Sequence, residues 1–561
     1  MQRPSIAHLL ILLLSILLTA CGSDSNHSPN ITLNGESSVD LIQGYTYEEQ
    51  GASAVDLNGT SIEVFIRSNL DINTQGTYTV TYVATDTSGR SSSVNRIVTV
   101  IPARPFITTW KINDYEGDTE IYIGTWGKGY DYQIDWGDGQ NDAHVDGDIF
   151  HTYAEAGTYT IAISGKFPQI YYSDSHGSCY ELQSIEQWGD IQWRSMHKAF
   201  YGCSSLLINA IDTPNLSQVT DMSGMFERSY PEGNINHWDV SNITNMQQTF
   251  SHTYKGNPVL SNWDVSNVTN MKEMFSRAFD FNQDISEWDV SSVTDMSGMF
   301  QNAPSFDQDI SQWDVSSVTN MNNMFKSAKV FNQNLSNWDI SNVTDLSGMF
   351  AWTSSFNQPL AHWNTSSVKS ISGIFEGASS FNQPIGEWDV SSIINMEAIF
   401  SRATTFDQSL NNWNVSSTTS MKRMFAGADA FNQPLNNWNV SSVTNMEDMF
   451  DNADTFNQPL NNWNVSSVVT MERMLCSADS FNQSLGDWEI SSVEENFGCM
   501  FGSDFSTENY DATLIGWSQK NVKNRLNLWA PYSTYTSASQ IARDILTDNY
   551  DWYLSDAGLA P

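Results

Sequence analysis

The stretch FNQPLNNWNVSSVTNMEDMFDNADTFNQPLNNWNVSS (431–467) contains nearly the same sequence twice, and its tryptophans are 25 residues apart. The same period continues in both directions without an insertion. Tryptophan holds the corresponding position in successive units: Trp238, Trp263, Trp288, Trp313, Trp338, Trp363, Trp388, Trp413, Trp438, Trp463 and Trp488. An unbroken period of this length predicts a solenoid of identically shaped coils, each stacked on its neighbours.

The first part of each unit predicts a short strand. In LNNWNV, the residues Leu460, Trp463 and Val465 are spaced as in a leucine-rich repeat. Trp463 and Val465 then lie on one side of the chain and Asn464 on the other. The tryptophans are therefore expected to point into the core, and the residues that follow them to point outward.

The second part of each unit predicts a short helix followed by a return. Four apolar residues recur at the i, i+3, i+4 and i+7 spacing of one helix face: Met446, Met449, Phe450 and Ala453. Thr444 and Glu447 add a capping-box arrangement. In the return segment, stacked phenylalanines are expected to form an internal ladder: Phe431, Phe456 and Phe481. Its asparagines are expected to satisfy backbone groups of the turns: Asn432, Asn457 and Asn482.

The unit WDVSNVTNMKEMF (263–275) resembles the leucine-rich-repeat-like units of BspA-family bacterial surface proteins. The resemblance spans about residues 184–517. It implies a multidomain protein with an α/β solenoid and a role in adhesion at the cell surface. We expect an N-terminal cap with degenerate repeats over 169–235, regular repeats over 236–500 and a C-terminal cap over 501–561.

Two β-modules are expected before the repeats. Residues 30–101 alternate apolar and polar residues, as in TYTVTYVATDTSG (77–89), and resemble bacterial immunoglobulin-like modules. Residues 106–168, with YDYQIDWGDG and HTYAEAGTYTIAISG, resemble the β-sandwich of the polycystic-kidney-disease (PKD) type. In that module Asp135 and Asp138 could bind calcium, although aspartates in such positions more often cap a turn.

The amino terminus predicts export. Arg3 and an apolar run of about ten residues have the form of a signal peptide over residues 1–20 and are short for a membrane span. The tetrad Leu18-Thr19-Ala20-Cys21 resembles the lipobox of bacterial lipoproteins. This implies cleavage before Cys21 and lipidation of that residue, followed by a tether over 21–29. Gly22 after the cysteine fits sorting to the outer membrane if the cell is Gram-negative.

The charge of the chain restricts its partners. The sequence has 64 acidic and 25 basic residues, for a formal net charge of −39. Binding to nucleic acid is not expected, because it needs clustered Lys and Arg. Contact of the folded part with anionic lipid is also not expected, so the membrane is reached only through the lipid. An acidic surface could collect divalent cations such as calcium, but no other cofactor is expected.

The remaining cysteines form two pairs that are each close to one repeat apart. Cys179 and Cys203 bracket the first degenerate coil, and Cys476 and Cys499 lie near the last coil. The end coils of a repeat array have one face without a neighbour and fray first. We therefore predict two disulfides, Cys179–Cys203 and Cys476–Cys499, that staple the ends of the array.

One outward column offers a candidate ligand face. The residue after each tryptophan is acidic in most of the first seven units: Asp239, Asp264, Asp289, Asp314, Asp339 and Asp389. This column could bind a basic protein segment or, through calcium, a glycan. Alternatively, it is a solvated edge whose Asp and Asn side chains accept hydrogen bonds from neighbouring backbone amides.

The sequence favours recognition over catalysis. It contains no nucleophile elbow, zinc-protease motif or phosphate-binding loop, so an enzyme is not expected. We expect a monomeric surface lipoprotein that binds a protein, or alternatively a glycan, through its solenoid. A structural spacer without a ligand and a carbohydrate-binding accessory protein are the alternatives. Variation at the positions before the tryptophans favours recognition, and Trp352 is the obvious exposed aromatic residue of the array.

Overall fold

The computed structural model describes residues 27–113, 119–174, 179–204, 206–502 and 505–560. The predicted signal peptide and the lipidation site Cys21 lie outside the described residues. The chain divides into two compact units, Met1–Ala103 and Arg104–Pro561.

The described part of the first unit is a β-structure with two sheets. One sheet has the strand order β1-β3-β4 and the other has the order β2-β7-β6-β5. The alternation in 77–89 places Val80 and Tyr82 in the core beside Val98 and Val100 of the neighbouring strand. The strands are β1 (Asn30–Leu33), β2 (Ser38–Ile42), β3 (Ala52–Val55), β4 (Ser61–Ile62), β5 (Val64–Ser68), β6 (Gly76–Thr85) and β7 (Ser91–Ile101).

The second unit begins with six strands around an aromatic core. Tyr132, Ile134 and Trp136 point inward, with exposed fractions of 0–1%. The ring of Tyr153 stacks on that of Tyr159 at a centroid distance of 3.8 Å. The strands are β8 (Phe106–Ile112), β9 (Glu120–Ile123), β10 (Asp131–Asp135), β11 (Asn141–Val145), β12 (Ile149–Thr152) and β13 (Gly157–Lys166).

One sheet joins this module to the repeats. Strand β8 pairs antiparallel with β14 (Leu182–Gln187), which pairs parallel with β15 (Leu207–Ile208) and then β16 (Glu232–Gly233). The boundary between residues 168 and 169 therefore lies within one compact unit. Phe106 of β8 stacks on Trp188 of the first coil at 5.6 Å. The module thus covers the apolar end of the array that would otherwise face water.

The repeats contain neither the predicted strand nor the predicted helix. Between β16 and β17 (Gly498–Cys499), the described residues form tight turns, irregular segments and single parallel bridges between successive units, as between Asn270 and Asp295. In one coil, the N–H of Trp263 donates to the carbonyl of Leu260, and that of Met274 donates to the carbonyl of Met271, both at 3.1 Å. The α/β fold class was wrong in this respect, because the chain is mostly β-structure and turns with few helices.

Left-handed backbone at two positions of each unit explains why no helix forms. Glu273 and Arg277 have φ values of 53° and 58°. A right-handed helix cannot contain such residues, because L-residues adopt this conformation singly and at a cost. Their N–H groups instead donate to the next coil, to the carbonyls of Ser297 and Gln301 at 2.8 and 2.7 Å. Two successive turns bury the same residues that one helix face would bury.

Glycines at the 25-residue period were the missed signal. Gly298, Gly348 and Gly373 hold the position of Glu273 in later units, with φ values of 61–63°. A glycine that recurs in the middle of a helix is unexpected, whereas glycine is the preferred residue for positive φ. The recurring glycines therefore indicate turns and contradict the helix that the apolar spacing predicts.

Each coil is bonded to its neighbours along several columns. The indole N–H of each tryptophan from Trp263 to Trp488 donates to a leucine or isoleucine carbonyl 28 residues earlier, at 2.9–3.1 Å. Two phenylalanine ladders stack inside, as with Phe275 and Phe300 at 5.7 Å. The predicted asparagine ladder is confirmed, since the backbone N–H of Asn457 donates to Oδ1 of Asn432 at 3.0 Å.

The C-terminal residues continue these columns and close the array. The helix α1 (Thr507–Ser518) places the indole N–H of Trp517 on the carbonyl of Leu485 at 2.9 Å, as another repeat would. Strands β17, β18 (Asn527–Ala530) and β19 (Tyr553–Asp556) form a parallel sheet. Helix α2 (Gln540–Asp544) and a π-helical turn (Ile545–Asn549) precede β19.

Both predicted disulfides are present. Cys179 is bonded to Cys203 and Cys476 to Cys499, with Cα–Cα distances of 4.9 and 5.0 Å. The first lies where the β-module meets the first coil, and the second ties the last regular coil to β17. Each is expected to contribute about 2–4 kcal/mol by restricting the unfolded chain.

Exchanging Gly and Ala in one left-handed column tests this description. Gly373 (φ 61°) and Ala398 (φ 54°) are equivalent residues of adjacent coils. A methyl group on Gly373 would meet its nearest atom at 3.5 Å, so space does not oppose Gly373→Ala. Backbone strain of about 1–2 kcal/mol, partly offset by the lower entropy of the unfolded chain, should give a net loss of about 0.5–1 kcal/mol. Ala398→Gly should raise stability by about 0.5 kcal/mol, because relief of strain exceeds the added entropy of the unfolded chain. Urea unfolding monitored by tryptophan fluorescence measures both.

The control is Ala426→Gly, which lies in the same kind of turn but is not among the residues with positive φ. It should lower the free energy of unfolding. If Ala426→Gly and Ala398→Gly changed stability in the same direction, the left-handed assignment would be wrong.

Candidate ligand-binding surface

The aspartate column predicted from the sequence is exposed, and its carboxylates cap turns. In each unit, Oδ1 of the aspartate accepts the backbone N–H of the serine two residues later, at 2.9–3.1 Å. The residues are Asp239, Asp264, Asp289, Asp314, Asp339 and Asp389. At Asn439 the amide oxygen makes the same contact with Ser441, which explains why Asn replaces Asp in later units.

These hydrogen bonds stabilise the charged form of the carboxylate. The Ser341 hydroxyl and backbone N–H both donate to Asp339 and hold the pKa of that carboxyl below its usual value. The pKa values of Asp239, Asp314 and Asp389 are lowered for the same reason. The column therefore has a structural role that does not depend on a ligand.

The calcium candidates of the β-module are likewise engaged in a turn. Oδ1 of Asp135 accepts the N–H of Gly137 at 3.0 Å, and Oδ1 of Asp138 accepts that of Gln140 at 2.9 Å. The second oxygen of Asp138 lies 2.9 Å from Nε2 of His151. Across the described ranges, no group of three or more His, Cys, Asp or Glu side chains is placed to hold a metal ion.

A second outward surface carries most of the positive charge of the repeats. We call it the turn edge: the outward side chains of residues 272–280 and their equivalents every 25 residues. Of the Lys and Arg residues in 222–481, all except Lys369 lie on it: Arg228, Lys255, Lys272, Arg277, Lys326, Lys329, Arg402, Lys422, Arg423 and Arg473. This surface was not predicted from the sequence, because these residues were assigned to a helix.

A shallow groove crosses the turn edge over four coils. Its volume is about 360 Å³, and its lining residues are Tyr254, Arg277, Phe279, Asn302, Pro304, Ser327 and Lys329. The rings of Tyr254 and Phe279 meet edge to face at 5.0 Å, and 38% and 40% of these side chains are exposed. They combine exposed aromatic surface with two cations in one concave site, an arrangement typical of binding surfaces.

Trp352, the exposed aromatic residue noted in the sequence, lies farther along the turn edge. It is 38% exposed, and the guanidinium of Arg402 lies 5.7 Å from its ring centroid. A methyl group on Gly377 would come within 2.5 Å of its ring, so this glycine lets the indole lie flat on the coil. The ring is therefore partly covered by its neighbours.

The repeats and the first module both match known families. The family described as "Mycoplasma protein of unknown function, DUF285" matches seven overlapping segments: 176–252, 194–309, 227–338, 281–384, 323–437, 355–460 and 408–517. Together they span more than half of the 561 residues. The chain belongs to the DUF285 family. The DUF285 repeats confirm the resemblance to BspA-like surface proteins.

The first module of this DUF285 protein matches the family described as "Bacterial surface protein, Ig-like domain" over residues 31–100. This match confirms the predicted immunoglobulin-like module. Together with the two disulfides, which form outside the reducing cytosol, it indicates an extracellular protein. No described helix of the DUF285 protein is both long and apolar enough to cross a membrane.

Other comparisons add little. No curated protein matches the DUF285 chain. The crystal structure of a lipoprotein from Bacteroides thetaiotaomicron matches 24% of the chain with 21% sequence identity and a TM-score of 0.13. The match covers 60% of that lipoprotein, which is less than two thirds of its length.

The lowered pKa values of the aspartate column predict a loss of stability in acid. A carboxyl whose pKa is lower in the folded state contributes stability above its unfolded pKa of about 3.9, and loses it as pH falls through the folded pKa. Asparagine keeps the turn hydrogen bond without the charge. Replacing Asp239, Asp314, Asp339 and Asp389 by Asn should therefore reduce the drop in stability between pH 5 and about pH 3.

Urea midpoints measured at several pH values would test this prediction. A variant in which four exposed aspartates outside the column are replaced by Asn serves as the control for net charge. An equal acid sensitivity of the column variant and the native chain would contradict the proposed role of these hydrogen bonds.

Proposed function

We propose that this protein is a lipid-anchored recognition protein of the bacterial cell envelope. It binds a protein or other surface ligand without covalent chemistry, through the outward face of a rigid leucine-rich-repeat-like solenoid over 236–500. Catalysis is not part of this proposal. The Ig-like module and a PKD-like module over 106–168 hold the repeats away from the membrane, and the protein acts as a monomer.

The observation that carries this proposal is the contrast between the inward and outward columns. The buried Trp, Met and Phe columns hardly change from coil to coil. On the turn edge, the second left-handed position changes in every unit: Arg277, Asn302, Ser327, Trp352, Gly377 and Arg402. Packing does not require this variation, and a uniform spacer would not need it. A ligand that contacts several coils at once would select different residues in each.

The hydrogen bonds between coils favour binding by a pre-formed surface. Alternate backbone N–H groups of every turn segment donate to the next coil, so the backbone of the turn edge is fixed before a ligand arrives. A fixed surface loses little conformational freedom on binding. Many weak polar contacts are then enough for useful affinity.

The charge of the chain defines the kind of partner. The net charge of −39 disfavours nucleic acid and anionic lipid. The turn edge provides cations and aromatic rings within this acidic chain. Extracellular proteins and glycans are therefore the proposed partners, and a calcium requirement is open to the same test.

A binding screen with the full chain tests recognition. The protein is applied to arrays of extracellular matrix proteins and of glycans, with and without calcium, and retained protein is measured after washing. Recognition predicts saturable binding to one class of ligand that is lost when turn-edge residues are replaced. Replacing Lys369, a cation away from the turn edge, serves as the control. If neither array retains the protein, the result would favour a structural spacer.

The anchor is tested separately at Cys21. Cys21→Ser removes the thiol that the lipobox resemblance implies is lipidated, so the protein should move from the membrane fraction to the soluble fraction. Fractionation followed by immunoblotting measures the distribution, and Ser25→Ala in the predicted tether, which leaves Cys21 in place, is the control. An unchanged distribution of Cys21→Ser would contradict lipid anchoring.

A further inference from the structure

The groove on the turn edge lies in a locally basic part of an acidic protein. Over the four units 247–255, 272–280, 297–305 and 322–330, the turn edge carries five cations (Lys255, Lys272, Arg277, Lys326, Lys329) and two acids (Glu273, Asp280). The whole chain has the opposite balance, with 64 acids and 25 bases. Positive charge is therefore concentrated around the groove.

The two cations of the groove have no carboxylate partner in the part of the chain that the structure describes. Other turn-edge cations form ion pairs, as Lys422 does with Glu447 and Arg473 with Asp448 and Asp451. Neither Arg277 nor Lys329 is ion-paired with any described residue, and both are exposed. In a chain with such an excess of carboxylates, two unpaired cations in one groove leave sites for the anionic groups of an external ligand.

A neighbouring histidine reports the same positive environment. Burial lowers the pKa of His252, and the positive charges of Arg277 and Arg228 lower it further, against the opposing effect of Glu273. Like charges disfavour a second cation nearby, and an anion in the groove would relieve this repulsion. The histidine lies in the same coil as Tyr254, at the N-terminal end of the groove.

We infer that this groove binds an anionic polysaccharide, with sugar rings on Tyr254 and Phe279 and with carboxylate or sulfate groups on Arg277 and Lys329. The inference rests on the proposed recognition function and names its ligand class. Asn302 and Ser327, in the floor of the groove, supply neutral partners for sugar hydroxyls.

The dimensions of the groove suit an extended chain. Corresponding phenylalanine rings of the four coils lie 5.6, 5.7 and 5.8 Å apart, so the groove extends about 17 Å along the stack. The aromatic pair lies at one end and Lys329 at the other, with Arg277 beside the rings. A short run of sugar residues can therefore contact both rings and both cations.

The backbone around the groove disfavours a peptide ligand. An extended peptide binds by adding a strand to a free sheet edge. Here the N–H groups of Arg277, Asn302 and Ser327 already donate to carbonyls of the next coil at 2.7 Å. A helical peptide needs a continuous apolar groove, whereas beyond Phe279 the apolar Pro304 is interrupted by the polar Asn302 and Ser327. Binding must therefore come from side chains, which suits a ligand with flat apolar ring faces and regularly spaced anions.

Titration of the full chain with defined polymers tests this inference. Polygalacturonate supplies carboxylates, dextran sulfate supplies sulfates, dextran is the neutral sugar, and poly-L-glutamate is the peptide polyanion. Isothermal titration calorimetry is expected to detect one or both anionic polysaccharides and to distinguish the two anions. Dextran and poly-L-glutamate should bind at least about tenfold more weakly. Binding should also weaken as salt rises, because exposed charges are screened.

Matched variants locate the site. Arg277→Gln and Lys329→Gln should each weaken binding about tenfold by removing one charge-assisted contact. Phe279→Ser should weaken it about fivefold by removing ring contact. Lys369→Gln removes the same charge from another column, and Phe65→Ser removes an exposed phenylalanine from the Ig-like module. Neither control should change the affinity, and circular dichroism checks that each variant folds.

Four results would overturn the inference. If dextran bound as tightly as the anionic polysaccharides, the charge of the ligand would not contribute to binding. If poly-L-glutamate bound as tightly, the result would point to acidic peptides. Equal loss of affinity for Lys369→Gln and Arg277→Gln would show nonspecific attraction. If no polysaccharide binds but the full chain retains a protein ligand in the array screen, only this inference fails. If neither assay detects binding, the proposed recognition function is contradicted as well.

Discussion

The hydrogen bond from a left-handed residue to the next coil is the interaction on which the repeat region depends. Each unit presents N–H groups outward along the stack at fixed positions, such as Glu273 and Arg277, and the next unit must present carbonyls in register. A buried N–H without a partner is costly. An insertion of even one residue would misalign every subsequent contact of that coil. This requirement explains the unbroken 25-residue period.

The sequence predicted the repeats but misassigned their backbone. The burial of the tryptophans, the phenylalanine and asparagine ladders and both disulfides could be predicted, because each follows from position within the period. The helix could not be distinguished from two successive turns by apolar spacing alone, since both bury Met271, Met274, Phe275 and Ala278. Positive φ values distinguish the two turns from a helix, and in the sequence only the recurring glycines indicated positive φ.

The same misassignment hid the most distinctive surface of the molecule. Tyr254 and Phe279 come together only because adjacent coils place equivalent residues side by side, and a helix would have scattered the basic residues around its axis. The aspartate column was the predicted ligand face because its charge repeats most regularly. That regularity has a structural origin, because each carboxylate closes a turn. Outward positions whose residues vary from coil to coil, rather than those that repeat, indicate where a ligand can bind.

The tryptophan hydrogen bonds all run in one direction. Each indole donates to the coil before it, so Trp263 donates to the carbonyl of Ile235 and Trp517 of the C-terminal helix completes the series on Leu485. Among the described residues, the indole N–H of Trp238 has no acceptor, so the series starts after it. Every internal coil therefore gives and receives the same bond. A whole unit can be duplicated or deleted without leaving an unpaired group, which makes the length of the array adjustable in steps of one coil while both ends stay unchanged.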